Sequence, residues 1–326
     1  MRKQFTASLV SIFSVLILLT TIACAQKAVP AANPNTTSRR EVAVTFDDLP
    51  ATYGNDDLQR QTDITKHLLM RIKANNVPAI GFVVERKLHG YGNENERIGL
   101  LRMWLDAGLD LGNHTYSHIN NDHVPLATYE EDVVRGETVT KKLLSEKGMK
   151  LRYFRHPYLH TGPTVEYKRG LETFLAGRGY TIAPVTIDNN DVIFAALYGD
   201  AKVRGDQATM KRVAGAYIPY MEAIFEFFEK LSVDTLGYEV KQTLLLHAND
   251  LNADYFDDLV RMMKRRGYTF ISLHEALQDK AYSLPDAQVD KGLSWIHRWR
   301  LAKGMPLQME PGEPDFITEL FRKRQR

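Results

Sequence analysis

The chain of 326 residues is 44% hydrophobic and 25% charged, a composition typical of a globular protein and not of a disordered or fibrous one. Its 42 Lys and Arg residues nearly balance its 40 Asp and Glu residues, so its charge gives no reason to expect a nucleic acid or an anionic surface as partner. A single cysteine excludes an intrachain disulfide, so the fold must depend on its hydrophobic core.

The first 25 residues have the pattern of an export signal. Two basic residues precede an apolar stretch over residues 9–22, and residues 23–25 give the small-x-small pattern that a signal peptidase cuts. The stretch is too short and too interrupted by Ser and Thr for a membrane span. We therefore predict a signal peptide over residues 1–25 and an exported, periplasmic or extracellular protein, with an uncleaved membrane anchor as the alternative. Cys24 leaves open a lipid anchor of the bacterial lipoprotein type.

Short apolar runs follow a linker over residues 26–40 that is rich in Ala, Pro, Asn, Thr and Ser. Each run has the length of a strand and is bordered by polar or turn-forming residues. The predicted strands are 42–46, 79–84, 109–112, 151–154, 181–187, 243–246 and 268–271.

Amphipathic stretches lie between these runs and predict helices. The first, 57–74, places Ile64, Leu68 and Ile72 four residues apart on one face. Others are predicted over 94–107, 128–146 and 253–266, and Gly108, Gly148 and Gly267 each follow a helix end, where a left-handed residue is favoured.

The repeated β-α order favours parallel strands joined by right-handed crossovers. We predict an α/β fold, a distorted, incomplete (β/α) barrel of about seven parallel strands. A doubly wound open sheet is the alternative, but no Gly-rich phosphate loop follows the first strand. Residues 192–242 form an insertion, helical over 214–231, whose aromatics we expect in the core. Residues 281–326 are predicted to be a C-terminal extension with one short helix.

Titratable residues follow five of the predicted strands, and the carboxyl ends of strands carry the chemistry in such barrels. His114 and His118 are four apart, a spacing that on a helical turn lets both bind one metal. Asp47 and Asp48 end the first strand and, because strand neighbours point to opposite sides, one can complete a His₂Asp site while the other stays free. Three protein ligands leave an open position, as a catalytic metal requires.

The motifs at these strand ends resemble the NodB homology domain of the polysaccharide deacetylases, carbohydrate esterase family four, over residues 41–280. Residues 45–48 match its first motif, 114–118 its His-[Ser/Thr]-x-x-His motif, 155–158 its Arg-x-Pro-Tyr motif and 244–247 its closing Leu-x-x-His-like motif. The resemblance implies a metal-dependent hydrolase that removes acetyl groups from an acetylated polysaccharide or oligosaccharide by cleaving a carbon–nitrogen bond other than a peptide bond, or the corresponding ester.

The resemblance also implies a role for each motif residue. Asp48, His114 and His118 would bind a divalent metal, zinc by similarity, which polarises the acetyl carbonyl. Asp47 would be the general base, kept ionised by nearby positive charge, and Arg155 would orient it. The backbone N–H of Tyr158 would hold the oxyanion, and His247 would protonate the leaving group.

Two departures from the family pattern put the substrate-facing wall in doubt. In the fourth motif, commonly Asp-x-x-Asp-Trp, Val192 replaces the Trp after residues 188–191, although an aromatic of the insertion could take its place. Asp188 or Asp191 could still pair with Arg155 or with His247. In the third motif Leu159 stands where a Gly is usual.

Several alternatives therefore stay open. A different amide, such as an acetylated polyamine or a cyclic ureide, could be the substrate, and a non-catalytic carbohydrate-binding module would be a second class of function. His123, His156 and His160 lie near the site loops and are candidates for substrate contact. No protein partner is evident.

Overall fold

The computed structural model of this chain describes Met1, residues 40–54 and residues 56–325. The predicted signal peptide, the Cys24 lipid anchor and nearly all of the predicted linker lie outside the described residues. Among those residues, no helix combines the length and the apolar character needed to cross a membrane.

The described chain from residue 40 onward consists of strands separated by one or two helices, with three helices after the last strand. The strands are β1 (Arg40–Leu49), β2 (Ile80–Val83), β3 (Asp110–Asn113), β4 (Tyr153–Phe154), β5 (Thr181–Ile182), β6 (Gln242–His247) and β7 (Tyr268–Phe270). The helices are α1 (Leu58–Ala74), α2 (Glu94–Asp106), α3 (Leu126–Arg135), α4 (Thr138–Glu146), α5 (Val165–Gly177), α6 (Asp191–Val203), α7 (Gln207–Leu236), α8 (Asp250–Arg265), α9 (Leu273–Ala276), α10 (Trp295–Ala302) and α11 (Asp315–Arg324). Short 3₁₀ turns lie at Glu85–Leu88, Asn121–His123, Pro157–Leu159 and Lys280–Ser283.

All of the strands in the described part belong to one parallel sheet, in the order β5-β4-β3-β2-β1-β6, with β7 also paired to β1. The central strand β1 is buried from Val42 to Leu49. A parallel sheet with helices outside it buries its central strands on both faces, which is why their sequences are continuous apolar runs and do not alternate.

The segment that follows β5 closes the sheet on itself. Ala183 N donates to Phe154 O on the β4 side, whereas Ile187 forms a parallel bridge with Leu244 of β6, and Leu245 N donates to Ile187 O at 3.2 Å. The predicted strand 181–187 therefore pairs with β4 at its start and with β6 at its end. This crossing joins the two edges of the sheet, and the predicted distorted, incomplete (β/α) barrel is confirmed.

The structure also differs from the predictions. The predicted helix 128–146 is divided into α3 and α4 because Gly136, between them, packs against the backbone of Thr115, where a Cβ would lie 2.4 Å from the carbonyl carbon. Helix α5 was not predicted, the insertion holds two helices, α6 and α7, and the C-terminal extension holds α10 and α11 where one helix was expected.

Candidate active site

Two adjacent carboxylates of β1 reach the same pocket at the end of the barrel. The prediction that Asp47 and Asp48 point to opposite sides is wrong, because the pairing of β1 with β2 shifts register between Phe46 and Leu49 and Asp48 has a φ of 70°. A left-handed residue breaks the alternation of an extended strand, as at a β-bulge. The bulge thus presents both carboxylates to one pocket.

The two histidines after β3 converge by a different route from the predicted helical turn. His114 directly follows the strand, and the chain then passes through left-handed residues at Thr115 and His118, with φ values of 64° and 57°. The rings lie 4.8 Å apart between centroids. Asp132 of α3 fixes the turn, since Ser117 donates to it from both N and Oγ, at 3.0 and 2.9 Å.

Asp48, His114 and His118 form the predicted set of metal donors. One donor atom of each lies within 4.8 Å of the others. His114 Nδ1 lies 2.9 Å from the carbonyl oxygen of Arg155, which can only accept, so Nδ1 carries the proton and Nε2 offers its lone pair. Asp48 Oδ1 is buried and accepts no hydrogen bond from the described residues. Two imidazoles and one orphaned carboxylate oxygen fit a divalent cation of the zinc type.

The charges around these donors favour their metal-binding forms. Burial, followed by the neighbouring ring of His118, lowers the pKa of His114, and burial also lowers the pKa of His118, so both imidazoles are neutral. Burial would raise the pKa of Asp48, but the positive charges of Lys87 and His247 outweigh it and hold that pKa below its usual range.

Lys87 is a site residue that sequence reasoning missed. Its Nζ lies 3.4 Å from Asp48 Oδ1 and donates to the carbonyl oxygens of Asp48 and Ala51, at 3.3 and 3.1 Å. No motif in the sequence indicates this contact, because Lys87 lies in the 3₁₀ turn after β2 and outside the motifs at the strand ends. Through these contacts, the ammonium group stabilises the bulged end of β1.

Asp47, the predicted base, lies in a buried arrangement with Arg155. The guanidinium donates to Thr45 Oγ1 at 3.0 Å and to the Ala183 carbonyl at 2.8 Å, and its Nη1 lies 3.4 Å from both oxygens of Asp47. Burial raises the pKa of Asp47 to about 6, although Arg155 and His247 oppose the rise. The expectation that positive charge keeps this pKa low therefore does not hold for the protein groups alone, although a cation on Asp48 would add to their effect.

His247 occupies the register position directly opposite Asp47, at the end of the neighbouring strand β6. Its Nδ1 lies 2.7 Å from Oδ1 of Asp191, and Oδ2 of the same carboxylate accepts from His247 N at 3.0 Å and from Asn252 Nδ2 at 2.7 Å. Burial would lower the pKa of His247, but the charge and hydrogen bond of Asp191 raise it to about 9. His247 is thus protonated at neutral pH and aims its second nitrogen away from Asp191.

Asp188 lies at the pocket but does not hydrogen-bond to His247 or Arg155 among the described residues. Its Oδ1 accepts from Asn189 N at 2.9 Å, and burial raises its pKa to about 6. Of the two aspartates left open as partners of the acid, Asp191 makes the contact. Its position as the first residue of α6 turns it toward β6.

Tyr158 lies in the 3₁₀ turn after β4 with left-handed φ and ψ of 56° and 10°, and its ring packs edge-on against His118. Leu159, which replaces the usual Gly, is also left-handed, with a φ of 57°. The turn thus places the Tyr158 ring against His118, one of the metal donors.

These residues line a pocket of about 330 Å³. Its wall consists of Asp47, Asp48, His114, His118, His156, Tyr158, Leu159, Asp188, Asn189, Asn190, Val192, Leu245, His247 and Gly292. No aromatic residue of the insertion 192–242 is among these described lining residues, so none of them takes the place of the missing Trp in the pocket wall. Val192 and Leu245 line the pocket near His247.

The three other candidate histidines have different surroundings. His156 lines the pocket, is buried, and has a pKa lowered to about 3 by burial and then by Arg298, so it is a neutral ring. His160 pairs with Asp122 outside the pocket wall, and His123 is exposed. Of these three histidines, only His156 is thus placed to contact a molecule bound in this pocket.

Residues 34–171 match the family model described as polysaccharide deacetylase. A peptidoglycan N-acetylglucosamine deacetylase of Bacillus cereus is 31% identical over 121 residues, which are 37% of this chain and 37% of that protein. The chain therefore matches little more than a third of that relative's length.

Among solved structures, this chain is similar to a polysaccharide deacetylase from Bacillus cereus, 18% identical, with a TM-score of 0.49 over 72% of this chain and 92% of that chain. A family 4 carbohydrate esterase from Streptomyces lividans, in complex with acetate, is also 18% identical, with a TM-score of 0.45 over 73% of this chain and 95% of that chain. Residues 34–171 thus match the polysaccharide deacetylase family model, and the ordered motifs that resemble this family lie at the ends of β1, β3, β4 and β6.

Proposed function

We propose that this protein is an exported, metal-dependent hydrolase that removes acetyl groups from an N- or O-acetylated carbohydrate. The observation that carries the proposal is that Asp47 and His247, register partners on adjacent strands, line the same pocket as the three metal donors. Hydrolysis of an amide needs a group that takes a proton from water and another that gives one to the leaving amine.

Asp47 is the base in this proposal. Its pKa of about 6 leaves it ionised at neutral pH, and Arg155 fixes its direction through the contacts of both Asp47 oxygens with Nη1. His247 is the acid, because its pKa of about 9 keeps it protonated while Asp47 is ionised. Neighbouring groups whose surroundings push their pKa values apart in this way are typical of an acid–base pair.

Asp48, His114 and His118 would hold the cation, which we take to be zinc. When bound, it would act as a Lewis acid toward the acetyl carbonyl. The backbone N–H of Tyr158 would donate to the oxygen of that carbonyl as negative charge develops on it. The neutral ring of His156 and the apolar side chains of Val192 and Leu245 would face the remainder of the substrate.

Acetate release tests the proposal directly. The purified protein, loaded with Zn²⁺, is incubated with chitooligosaccharides, peptidoglycan fragments, acetylxylan and an N-acetylated polyamine, and acetate is measured with and without a chelator. We expect release from at least one carbohydrate, its loss with chelator, and its return when zinc is restored. Asp47→Asn serves as the inactive control.

The other arms of the panel separate the alternatives. Release from the polyamine alone would replace the carbohydrate with a different amide, and binding of sugars without release from any substrate would indicate a non-catalytic module. Export is supported by the pattern of residues 1–25, and detection of the protein outside the cytoplasm, lost on deletion of that segment, would test it.

A further inference from the structure

The C-terminal extension packs against the turn that carries Tyr158. Trp295 N donates to Val185 O at 2.7 Å, and Ser294 Oγ donates to Thr186 O at 2.7 Å, so the start of α10 is hydrogen-bonded to the segment that closes the barrel. The ring of Trp295 also lies parallel to His156, with centroids 6.5 Å apart. Ser294 and Trp295 of the extension therefore pack directly against residues that close the barrel and line the pocket.

Arg298 is the centre of this contact. Its side chain is fully buried, its guanidinium lies over the ring of Trp295, and no carboxylate of the described residues forms an ion pair with it. All of its hydrogen bonds go to uncharged oxygens, namely Leu159 O at 2.8 Å, Ala287 O at 3.1 Å, Thr161 Oγ1 at 3.2 Å, Lys291 O at 3.2 Å and Leu293 O at 3.4 Å. One planar side chain thus ties the Tyr158 turn to the extension on both sides.

Gly292 makes a second contact with the same turn. A Cβ on Gly292 would lie 1.9 Å from the carbonyl oxygen of Tyr158, so the backbone of the extension packs directly on that peptide group. No other residue type fits there unless the turn moves. The glycine is required by this close approach and not by its own backbone conformation, because its φ lies outside the left-handed range.

The turn needs external support because of its own sequence. Tyr158 and Leu159 are consecutive left-handed residues, a conformation that costs non-glycine residues free energy and persists only where the surroundings hold it. Leu159 stands where the family commonly has Gly. Its carbonyl accepts the shortest hydrogen bond of Arg298, so the extension acts at the strained residue.

We infer that Arg298 and Gly292 of the C-terminal extension are positioning residues for the oxyanion site, holding the Tyr158 backbone where its N–H meets the developing charge. The inference rests on the proposed function, since it assigns a role in the same hydrolysis. It predicts a specific defect. Loss of the support should lower kcat for every acetyl substrate, whatever its leaving group, because oxyanion stabilisation is needed in each case. KM and zinc affinity should change little, since the metal donors belong to other loops.

Arg298→Met tests the inference against Arg300→Met. Arg300 is buried on the same helix but donates to Pro306 O and pairs with Asp234, away from the pocket. With a chitooligosaccharide and with 4-nitrophenyl acetate, we expect Arg298→Met to lower kcat about 10–100-fold, the size associated with a small misplacement of a catalytic group. Arg300→Met should keep the wild-type kcat, and both variants should keep the zinc Kd. Arg298→Lys should restore little, because an ammonium cannot reach the same set of carbonyls.

A glycine pair decides the question if Arg298→Met does not fold. Gly292→Ala should lower kcat on both substrates, whereas Gly312→Ala, in the same extension with no atom within 4 Å of its Cβ position, should not. Circular dichroism confirms that each variant is folded. If the wild type is active but kcat is equal in Arg298→Met and Arg300→Met, or in the two glycine variants, the positioning role is wrong while the proposed function stands. A wild type that releases no acetate from any substrate would overturn the proposed function with it.

Discussion

The imidazole of His247 pairs with the buried carboxylate of Asp191, with 2.7 Å between Nδ1 and Oδ1. Asp191 raises the pKa of His247 to about 9 through its charge and its hydrogen bond. Because the acid must carry its proton, activity toward an amide should be lost as the pH rises through that value. Asp191→Asn should move this alkaline limb down by at least about one pH unit, since the amide keeps a hydrogen bond but not the charge.

The comparison for this variant is Asp188→Asn. Asp188 lies at the same pocket without a hydrogen bond to His247, so its replacement should shift the limb less. The measurement is kcat against pH on one amide substrate for both variants and the wild type. Equal shifts would mean that general negative charge, and not the Asp191 contact, sets the proton affinity of His247.

His247→Ala should distinguish proton donation from positioning. On an amide substrate kcat should fall about 10²–10⁴-fold, because a poor leaving group needs a proton. On 4-nitrophenyl acetate, whose leaving group is stable as an anion, the loss should be much smaller. Parallel losses on the two substrates would contradict the role of His247 as acid.

Asp47 and Asp48 should separate under metal titration. Asp48→Asn should weaken zinc binding by more than about tenfold, because it removes a ligand charge from the donor set. Asp47→Asn should keep the zinc but lose most activity, since an amide cannot take a proton from water. Calorimetric titration with Zn²⁺ at constant pH gives both affinities. Full metal affinity in Asp48→Asn would remove Asp48 from the set of ligands.

Gly136→Ala should damage the histidine turn from outside the site. The new Cβ would lie 2.4 Å from the carbonyl carbon of Thr115, so the turn between His114 and His118 must move. We expect the free energy of unfolding to fall by about 1–3 kcal/mol, as for other overpacked positions, and zinc affinity to fall with it. Gly99→Ala, in α2 with open space at its Cβ, is the matched control and should be neutral or slightly stabilising. Denaturant unfolding and zinc titration of both variants provide the test.

The strands and the motif residues at their ends could be predicted because each leaves a local pattern. Buried parallel strands have continuous apolar sequences, and the three metal donors lie in short motifs that end β1 and β3. No such local pattern indicates which of Asp188 and Asp191 pairs with His247. That pairing depends on where α6 begins, since the first residue of that helix faces β6 and the residue three positions earlier does not.

Contacts between distant parts of the chain account for the other differences. The division of the predicted helix 128–146 depends on Thr115, and the carboxylates of Asp47 and Asp48 converge because β2 shifts its register on β1. Arg298 has no recognisable motif, because its shortest hydrogen bond goes to a backbone oxygen of a turn far away in the chain, that of Leu159, 139 residues earlier. Hydrophobic periodicity predicts elements, but it cannot predict which backbone groups meet across the fold.

The position of β1 has a consequence for the order of folding. This first strand pairs with β2 nearby but also with β6 and β7, whose residues lie about 200 positions further along the chain, as in the bond from Thr45 Oγ1 to Leu244 O with a separation of 199. Loop closure over such separations slows folding. A nascent chain that has not yet reached residue 247 lacks both the second neighbour of β1 and the acid of the site. We therefore expect the core to assemble only after most of the chain is available, and chaperones that bind exposed apolar strands to have a long interval in which to do so.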